Sequence, residues 1–282
     1  MASFEIVPAE ALAPARLHAA FGAAFADYLI GPFQLPLAQW PAFLGRQGVE
    51  LGASRVAVSA GEPIAFCLVA PRPEAGSWRL GTMGALPAAR GSGAAPALLD
   101  DFVARAAGAG AVAVELECFA QNARALKLYE GRGFREVDAL HGWRKAADAQ
   151  GQSAEDAPAA VQLEAAFTWL EESGLPLPLQ VTPRSLRALP VALQAWRAGS
   201  AQLVFSEAAD GAVNVHSLVD RDPAQRDAQA LVAALLARHP GRTVAVPQLQ
   251  RQAVGGDALA RLGFERHALH QLWMRRAVNR GS

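Results

Sequence analysis

The sequence predicts a mixed α/β protein of two domains, and three observations lead to this prediction. The chain has 282 residues, so either half is large enough to bury its own core. Strand-like and helix-like apolar patterns are interspersed along both halves. Residues 147–160 are polar, small and acidic, lack apolar periodicity, and are typical of a linker. We therefore expect one domain at residues 1–146 and another at residues 161–282.

The first domain is predicted to be mixed α/β, with helices interspersed among its strands along the chain. Runs rich in β-branched and aromatic residues predict strands at residues 4–7, 55–58, 64–69, 78–85, 112–119, 134–137 and 141–144. Apolar residues at helical spacing predict helices at residues 17–29, 37–44, 94–107 and 123–132. The turn at Gly61 makes the second and third strands a hairpin, and we expect the last two strands to form a closing pair.

The second domain repeats this plan more faintly. We predict helices at residues 161–172, 186–197, 226–238 and 253–261, and strands at residues 202–207, 213–219, 244–246 and 270–274. In both halves a short apolar helix ends in a Gly-Phe step, at Gly133 and at Gly263. An internal duplication explains this correspondence.

Composition excludes several classes of protein. The hydrophobic fraction is 52% and the charged fraction 18%, which excludes a disordered chain. The 26 basic residues balance 26 acidic ones, and each half is balanced too, so a phosphate-neutralising nucleic-acid binder is not expected. Cys67 and Cys118 form neither a disulfide framework nor a zinc pattern, and the six histidines lack ligand spacing. Without a signal peptide or membrane segment, a cytoplasmic protein is expected.

A glycine-rich turn between a strand and a helix carries the first chemical signal. Residues 85–99 read ALPAARGSGAAPALL, with Gly91 and Gly93 allowing close approach of a ligand to the backbone. Backbone N–H groups at a helix N-terminus form an anion site, and Arg90 would add a charged contact. The alternative is an ordinary strand-to-helix turn with glycine caps.

A second motif follows about 30 residues later, NARALKLYEGRGF at residues 122–134. Together the two motifs resemble the GCN5-related N-acetyltransferase (GNAT) family over residues 4–145. Arg90, Gly93 and Ala95 match its (Gln/Arg)-x-x-Gly-x-(Gly/Ala) loop. The second motif matches its late Asn…Leu-Tyr-Glu…Gly-Phe helix.

The resemblance implies two tandem GNAT-like domains, each a mostly antiparallel twisted sheet flanked by helices. Strands 78–85 and 112–119 would run parallel and splay apart to admit the pantetheine arm of acetyl-CoA. It implies cofactor contacts from the first strand edge, the loop and the second motif, by Met83, Gly84, Ala85, Arg90, Gly91, Ser92, Gly93, Ala94, Ala95, Pro96 and Asn122. No metal is implied.

The family also implies two catalytic groups. Tyr129 would be the general acid that protonates the leaving thiolate, since the pKa of a phenol is near that of a thiol; its alternative role is packing. Alternation places Glu115 and Glu117 on one face of a strand. At five residues before Asn122, Glu117 has the spacing of the base in family members that acetylate protein N-termini. It could instead only orient water or cap the backbone, and Glu115 is expected to be structural.

The second half lacks this chemistry. Aligned on Pro87 and Pro223, it carries Asp227 in the loop and Gln229 at the position of Gly93. Aligned on the Gly-Phe step, Leu259 replaces Tyr129. We expect a degenerate GNAT-like domain that supports the first or walls its acceptor cleft.

The leading functional hypothesis is an acetyl-CoA-dependent N-acetyltransferase acting by direct attack of a primary amine. The alternatives are a non-catalytic acyl-CoA-binding or regulatory module, and a pure scaffold. The acceptor would be a small-molecule or peptide amine, with no nucleic-acid or membrane partner. Aromatic and proline residues at 31–40 predict an apolar wall on the acceptor side.

Overall fold

The computed structural model describes residues 3–147 and 158–278, so most of the predicted linker lies outside the described residues. Within them the chain has twelve strands and eight α-helices, which confirms the mixed α/β class. The chain divides into two compact units. Unit 1 comprises Met1–Cys118, Asn122–Val137 and Trp273–Ser282, and unit 2 comprises Phe119–Gln121 and Asp138–Leu272.

Unit 1 is built on five consecutive strands that lie in chain order. They are β1 Glu5–Pro8, β2 Arg55–Ser59, β3 Glu62–Arg72, β4 Ser77–Ala85 and β5 Ala113–Phe119. Neighbours are antiparallel except β4 and β5, which are parallel. The helices are α1 Pro14–Ala24, α2 Trp40–Arg46, α3 Ala94–Gly108 and α4 Ala123–Glu130.

Alternating side chains of β3 supply both cores of unit 1. Phe66 and Leu68 join Phe21 of α1 and Trp40 of α2 in one buried cluster. Cys67, one residue out of phase, points to the opposite face, where its electrostatic neighbours Arg105 and Asp101 belong to α3. Helices thus cover the sheet on both faces. The apolar sequence of β3 is consistent with this cover, and the strand is buried along almost its whole length.

Unit 2 contains the remaining elements. Its strands are β6 Arg135–Lys145 from Asp138 onward, β7 Ala159–Val161, β8 Gln194–Ala198, β9 Ala201–Glu207, β10 Val213–Asp220, β11 Val244–Arg251, and β12 Glu265–Ala277 as far as Leu272. They lie in the order β7-β8-β9-β10-β11-β6-β12. Its helices are α5 Leu163–Glu171, α6 Pro183–Arg187, α7 Arg226–Arg238 and α8 Gly256–Arg261.

The two units repeat one central arrangement, as the predicted duplication requires. In each, an antiparallel pair interrupted by a bulge leads into a parallel pair joined by a helix: β3-β4-α3-β5 in unit 1 and β9-β10-α7-β11 in unit 2. Both parallel pairs are short, four residues in β4–β5 and two in β10–β11.

Two predictions of secondary structure are wrong. The predicted helix at 186–197 is the end of α6 followed by the strand β8, because Pro190 cannot continue a helix and constrains the residue before it. The predicted closing pair at 134–137 and 141–144 is the single strand β6. The short strand β7 was not predicted.

Parts of three strands belong to the unit that is formed mainly by the other half of the chain: Phe119 of β5, residues 138–145 of β6 and residues 273–277 of β12. Leu140 to Lys145 of β6 pair with β11, which places them in unit 2. The Trp273 indole donates a hydrogen bond to Glu115 Oε2 at 3.1 Å, and the Val278 N–H donates to the Val112 carbonyl, both within unit 1. Unit 1 therefore needs residues from both ends of the chain.

Candidate active site

The parallel strands β4 and β5 separate halfway along their length. Ser77 to Leu80 are in register with Ala113 to Leu116, and the register ends there. A bulge at Gly81 interrupts the pairing of β4 with β3, which then continues to Ala85. Residues 83–85 consequently present one backbone edge to the gap beside β5, as the predicted splay of these strands requires.

Only glycine fits at position 84. A Cβ there would lie 2.7 Å from Phe66 Cζ and 2.9 Å from Ala24 Cβ. Both neighbours are fixed, because Phe66 is fully buried in the core and Ala24 ends α1. The close packing of α1 on β4 thus explains why position 84, one of the predicted cofactor contacts, is a glycine.

The turn after β4 has the backbone that an anion-binding loop requires. Gly91 has φ +88° and Gly93 has φ +90°, and a Cβ on either would meet nothing within 4 Å. Gly93 is the N-cap of α3, whose first turn contains no acidic residue. The Ser92 hydroxyl accepts a weak hydrogen bond from the Ala94 N–H at 3.3 Å. The open, electropositive start of a 15-residue helix suits a phosphate.

Arg90 makes its charged contact within the protein. Its Nη2 donates to Asp27 Oδ1 at 2.5 Å and to the Ala24 carbonyl at 3.3 Å, and its Nη1 bonds the second Asp27 oxygen. This hydrogen bonding holds the pKa of Asp27 below its usual value. The arginine therefore ties the loop to the end of α1, and the charged contact predicted for it is made with Asp27.

Asn122 and Tyr129 occupy opposite ends of α4. Asn122 caps the helix, its Oδ1 accepting from the Ala125 N–H at 3.2 Å, and its side chain is also hydrogen-bonded to Tyr28. Tyr129 is buried and lies edge-on to Phe134, with ring centroids 6.0 Å apart. Burial raises the pKa of Tyr129 well above its ordinary value, with a smaller contribution from Cys118. The phenol is therefore protonated at neutral pH.

Glu117 is held by a residue that the sequence analysis missed. Arg79 Nε donates to Glu117 Oε2 at 2.5 Å, Nη2 contacts the same oxygen, and Nη1 donates to Gln47 Oε1 at 3.3 Å. The side chains of Arg79 and Glu117 are 3% and 1% exposed. Glu117 Oε1 is buried and has no hydrogen-bond partner among the described residues.

Glu115, on the same face of β5, is satisfied on both oxygens. Oε1 accepts from Arg72 at 2.7 Å and from the Ser77 hydroxyl at 3.0 Å, and Oε2 accepts from Trp273. A carboxylate with all these donors organises the sheet, which agrees with the expected structural role. The two glutamates thus share a face of β5. They differ in that Glu117 retains one oxygen without a hydrogen-bond donor among the described residues.

The corresponding positions in unit 2 are filled by its own side chains. Asp220 Oδ2 accepts from the Ala228 N–H at the start of α7, at 2.9 Å, and Asp227 Oδ2 accepts from the Ser200 N–H at 2.7 Å. Beyond the parallel pair, Gln250 Nε2 donates to the Leu218 carbonyl of β10 at 3.1 Å. Two carboxylates therefore lie at the start of α7, and an amide side chain hydrogen-bonds to the edge of β10 beyond the parallel pair.

The described residues contain neither a metal-binding cluster nor a membrane-spanning helix. No three or more His, Cys, Asp or Glu side chains among residues 3–147 and 158–278 are grouped to hold a metal ion. None of the helices in these ranges has the length and apolar character needed to cross a membrane.

Comparison with known proteins agrees with this architecture. The chain has the fold of an N-acetyltransferase from Sphaerobacter thermophilus (18% identity, TM-score 0.65, 99% of this chain and 97% of that one). It is similarly matched by one from Kribbella flavida (16%, 0.61, 98% and 71%) and one from Anabaena variabilis (16%, 0.62, 98% and 73%). All three of those proteins are GCN5-related N-acetyltransferases, and the likeness of fold extends over nearly the whole of this chain.

The sequence of the first half gives a second, independent match. Residues 18–134 match the model of the acetyltransferase (GNAT) family. No curated protein matches the sequence. Enzymes of this family use acetyl-CoA, and the matched range contains both motifs that carried the resemblance.

Proposed function

We propose that the chain transfers the acetyl group of acetyl-CoA to a primary amine at the gap between β4 and β5 of unit 1. The observation that carries the proposal is the coincidence of three features in one place. They are a parallel pair that opens at Leu80, a glycine loop with an open backbone, and a buried protonated phenol nearby.

The residues of unit 1 fit acetyl-CoA. The free edge of residues 83–85 can accept an extended chain as an added strand. The loop from Arg90 to Pro96 can receive the pyrophosphate, because Gly91 and Gly93 have empty space where a side chain would stand. Asn122, at the start of α4, supports the far side of the gap. When bound, acetyl-CoA supplies an activated acetyl thioester.

Two side chains of unit 1 support the proton transfers that this reaction needs. Tyr129 keeps its proton on Oη at neutral pH, so its hydroxyl can donate a hydrogen bond to the leaving thiolate. The raised pKa makes it a weaker acid than an ordinary phenol, so the close match with the pKa of a thiol that the sequence analysis expected is not kept. Glu117 Oε1 is the lone acceptor without a donor in the buried pair with Arg79, so it can accept a hydrogen bond from an amine or a water. Arg79 keeps the carboxylate in place and is a positioning residue.

We infer that unit 2 does not bind the cofactor. Its helix start already receives a carboxylate from Asp220, and a second carboxylate at Asp227 would repel a pyrophosphate. Gln250 uses the carbonyl that a pantetheine arm would need. We therefore assign catalysis to the first domain, residues 1–146, and a supporting role to unit 2.

One observation favours the alternative of a non-catalytic acyl-CoA-binding module. Glu117 is already engaged by Arg79 in a buried ion pair, as a carboxylate with a purely structural role would be. Turnover separates the two functions. Purified protein with acetyl-CoA and a panel of primary amines should release coenzyme A thiol. Binding of acetyl-CoA without thiol release for any amine would favour the module.

A variant pair locates the chemistry. Tyr129→Phe removes the buried hydroxyl and should lower turnover by about 10²–10⁴-fold. Tyr28→Phe removes the other phenol near Cys118 and is the matched comparison. Equal losses in the two variants would contradict Tyr129 as the general acid.

A further inference from the structure

Two consecutive residues after α1 contact both ends of the proposed cofactor site. Asp27 accepts hydrogen bonds from the guanidinium of Arg90, with Nη2 and Oδ1 2.5 Å apart. Tyr28 is hydrogen-bonded to the side chain of Asn122. Arg90 follows β4, and Asn122 follows β5 and caps α4. These two contacts, which we call the clasp, therefore reach both sides of the gap between β4 and β5.

The clasp starts from the β4 side of the gap. Ala24, the last residue of α1, packs against β4, and its carbonyl accepts a hydrogen bond from Arg90 Nη2 at 3.3 Å. The ring of Tyr28 lies edge-on to Phe25, with ring centroids 4.9 Å apart. Tyr28 is half-buried and Asp27 is exposed. The phenol thus extends from the end of α1 to a residue that follows β5.

The clasp engages the polar groups that a coenzyme would use. Asn122 Oδ1 accepts from the Ala125 N–H at 3.2 Å. Burial raises the pKa of Tyr28 and the hydrogen bond with Asn122 opposes that rise, which indicates that the amide donates to the phenol oxygen. Both terminal nitrogens of Arg90 are directed at Asp27. The amide donor and the guanidinium charge are thus both held by side chains of the same segment.

Asp27 also brings a negative charge to the glycine loop. Hydrogen bonding to Arg90 lowers the pKa of Asp27, and the charge of Arg124 in α4 adds to this effect. The carboxylate is therefore ionised at neutral pH. A free phosphate or pyrophosphate at the loop would have to compete with it for Arg90 and would gain nothing from Asn122. A ligand that joins a pyrophosphate to an amide chain can replace both contacts at once.

We propose that Asp27 and Tyr28 are specificity-determining residues, which make the site select intact acetyl-CoA over fragments that carry only its phosphates. The inference rests on the proposed function and deepens it. Binding exchanges the contact between Asp27 and Arg90 for one with the pyrophosphate. It exchanges the contact between Tyr28 and Asn122 for one with the pantetheine arm. Each contact that is given up lowers affinity, and only the intact coenzyme replaces both.

Calorimetry with acetyl-CoA and with inorganic pyrophosphate separates the two contacts. Asp27→Asn should strengthen binding of both ligands about two- to fivefold, because an exposed ion pair no longer competes. Tyr28→Phe should strengthen binding of acetyl-CoA about two- to tenfold and leave pyrophosphate unchanged, because pyrophosphate has no amide chain. Asp100→Asn is the matched control and should change neither affinity. Asp100 pairs with Arg132 at 59% side-chain exposure, against 57% for Asp27.

The chain has two tyrosines, so NMR can follow the clasp without turnover. With tyrosine labelled at Cζ, Tyr129→Phe assigns the signal of Tyr28. Asn122→Ser keeps a capping residue but shortens the side chain, and it should shift the Tyr28 signal. Saturating acetyl-CoA should shift that signal of the wild type in the same direction, because it too removes the amide donor.

The outcomes distinguish this inference from the proposed function. Weaker acetyl-CoA binding in Asp27→Asn or Tyr28→Phe would show that the clasp holds the site ready, and would overturn the inference. A Tyr28 signal that acetyl-CoA leaves unmoved would also overturn it. If both variants bind acetyl-CoA more tightly but no amine releases thiol, the proposed acetyl transfer fails and the clasp stands.

Discussion

Arg79 and Glu117 form a buried ion pair at the point where their two strands part. Arg79 lies in the last paired stretch of β4, and Glu117 is the first residue of β5 beyond that stretch. The ion pair links β4 and β5 at the point where the backbone pairing of these two strands ends. Glu117 Oε1 lacks a donor among the described residues, so the buried pair leaves one carboxylate oxygen without a hydrogen bond.

The first prediction concerns the stability of this pair. Arg79→Met should lower the free energy of unfolding by about 3–5 kcal/mol, because it strands a buried carboxylate. The double variant with Glu117→Gln should recover part of that loss, since no unpaired charge remains. Urea unfolding of the two single variants and the double variant measures the coupling. Additive losses would show that the two side chains do not act as a pair.

A second prediction concerns the glycine loop. Gly93→Gln copies the residue at the aligned position of the second half and should abolish measurable acetyl-CoA binding by filling the open space. A non-glycine residue at φ +90° also costs about 1–3 kcal/mol in backbone strain. Gly211→Gln is the control, because Gly211 has φ +86° and an equally open Cβ direction in unit 2. Calorimetry and melting temperature separate binding from strain. Retained binding in Gly93→Gln would place the pyrophosphate elsewhere.

Stoichiometry gives a third prediction. Acetyl-CoA should bind once per chain, because Asp220 and Gln250 fill the corresponding positions of unit 2. Calorimetry on the wild type should give one site, and Gly93→Gln should leave none. Two sites per chain would contradict the degenerate role of unit 2.

The fourth prediction is a pH dependence. The pKa of Tyr129 is raised, so its proton stays in place throughout the range from pH 7 to 10. Turnover should therefore show no alkaline fall from Tyr129 below about pH 10, the ordinary value of a phenol. Profiles of kcat against pH for the wild type and Tyr129→Phe provide the check. An alkaline limb near pH 8 that disappears in the variant would contradict the raised pKa.

Both thiols give a fifth prediction. Burial raises the pKa of Cys67 and Cys118 to about 12, from an ordinary 9.0. Because the thiolate is the reactive form, neither should react with Ellman's reagent at pH 8 in the folded protein, and both should react in urea. Fast labelling of the folded protein would contradict their burial. If they stay silent, thiol release from coenzyme A can be followed without a background from the enzyme.

These shifts also set the sign of the pH dependence of stability. The folded state keeps thiol protons that the unfolded chain releases above about pH 9, so the unfolded state binds fewer protons there. Stability should then decrease with rising pH between about 9 and 12. Cys67→Ala should reduce this slope in urea titrations at pH 8 and pH 10.

Local patterns predicted the elements that position the site. The alternation in β5 placed Glu115 and Glu117 on one face, and glycine spacing located the turn before α3. The partners of these residues come from distant parts of the chain. Arg79 reaches Glu117 from another strand, and Asp27 is 63 residues from Arg90. Local periodicity carries no information about residues so far apart in the sequence, so these pairs could not be predicted.

The error at residues 186–197 has a local cause. Its apolar spacing fits a helix, but Pro190 interrupts it, and the second part extends as β8. The predicted linker at residues 147–160 rests on composition. Composition cannot reveal that Trp273 completes the hydrogen bonding of Glu115 in unit 1.

That contact has a consequence for synthesis of the protein. Unit 1 begins to emerge from the ribosome first, yet Trp273 and Val278 are translated after the whole of unit 2. Until then Glu115 lacks the indole donor, and the backbone beside Val112 lacks the Val278 N–H. Unit 1 can therefore complete these two hydrogen bonds only after unit 2 has been synthesised, and a fragment ending at residue 146 would lack both of them.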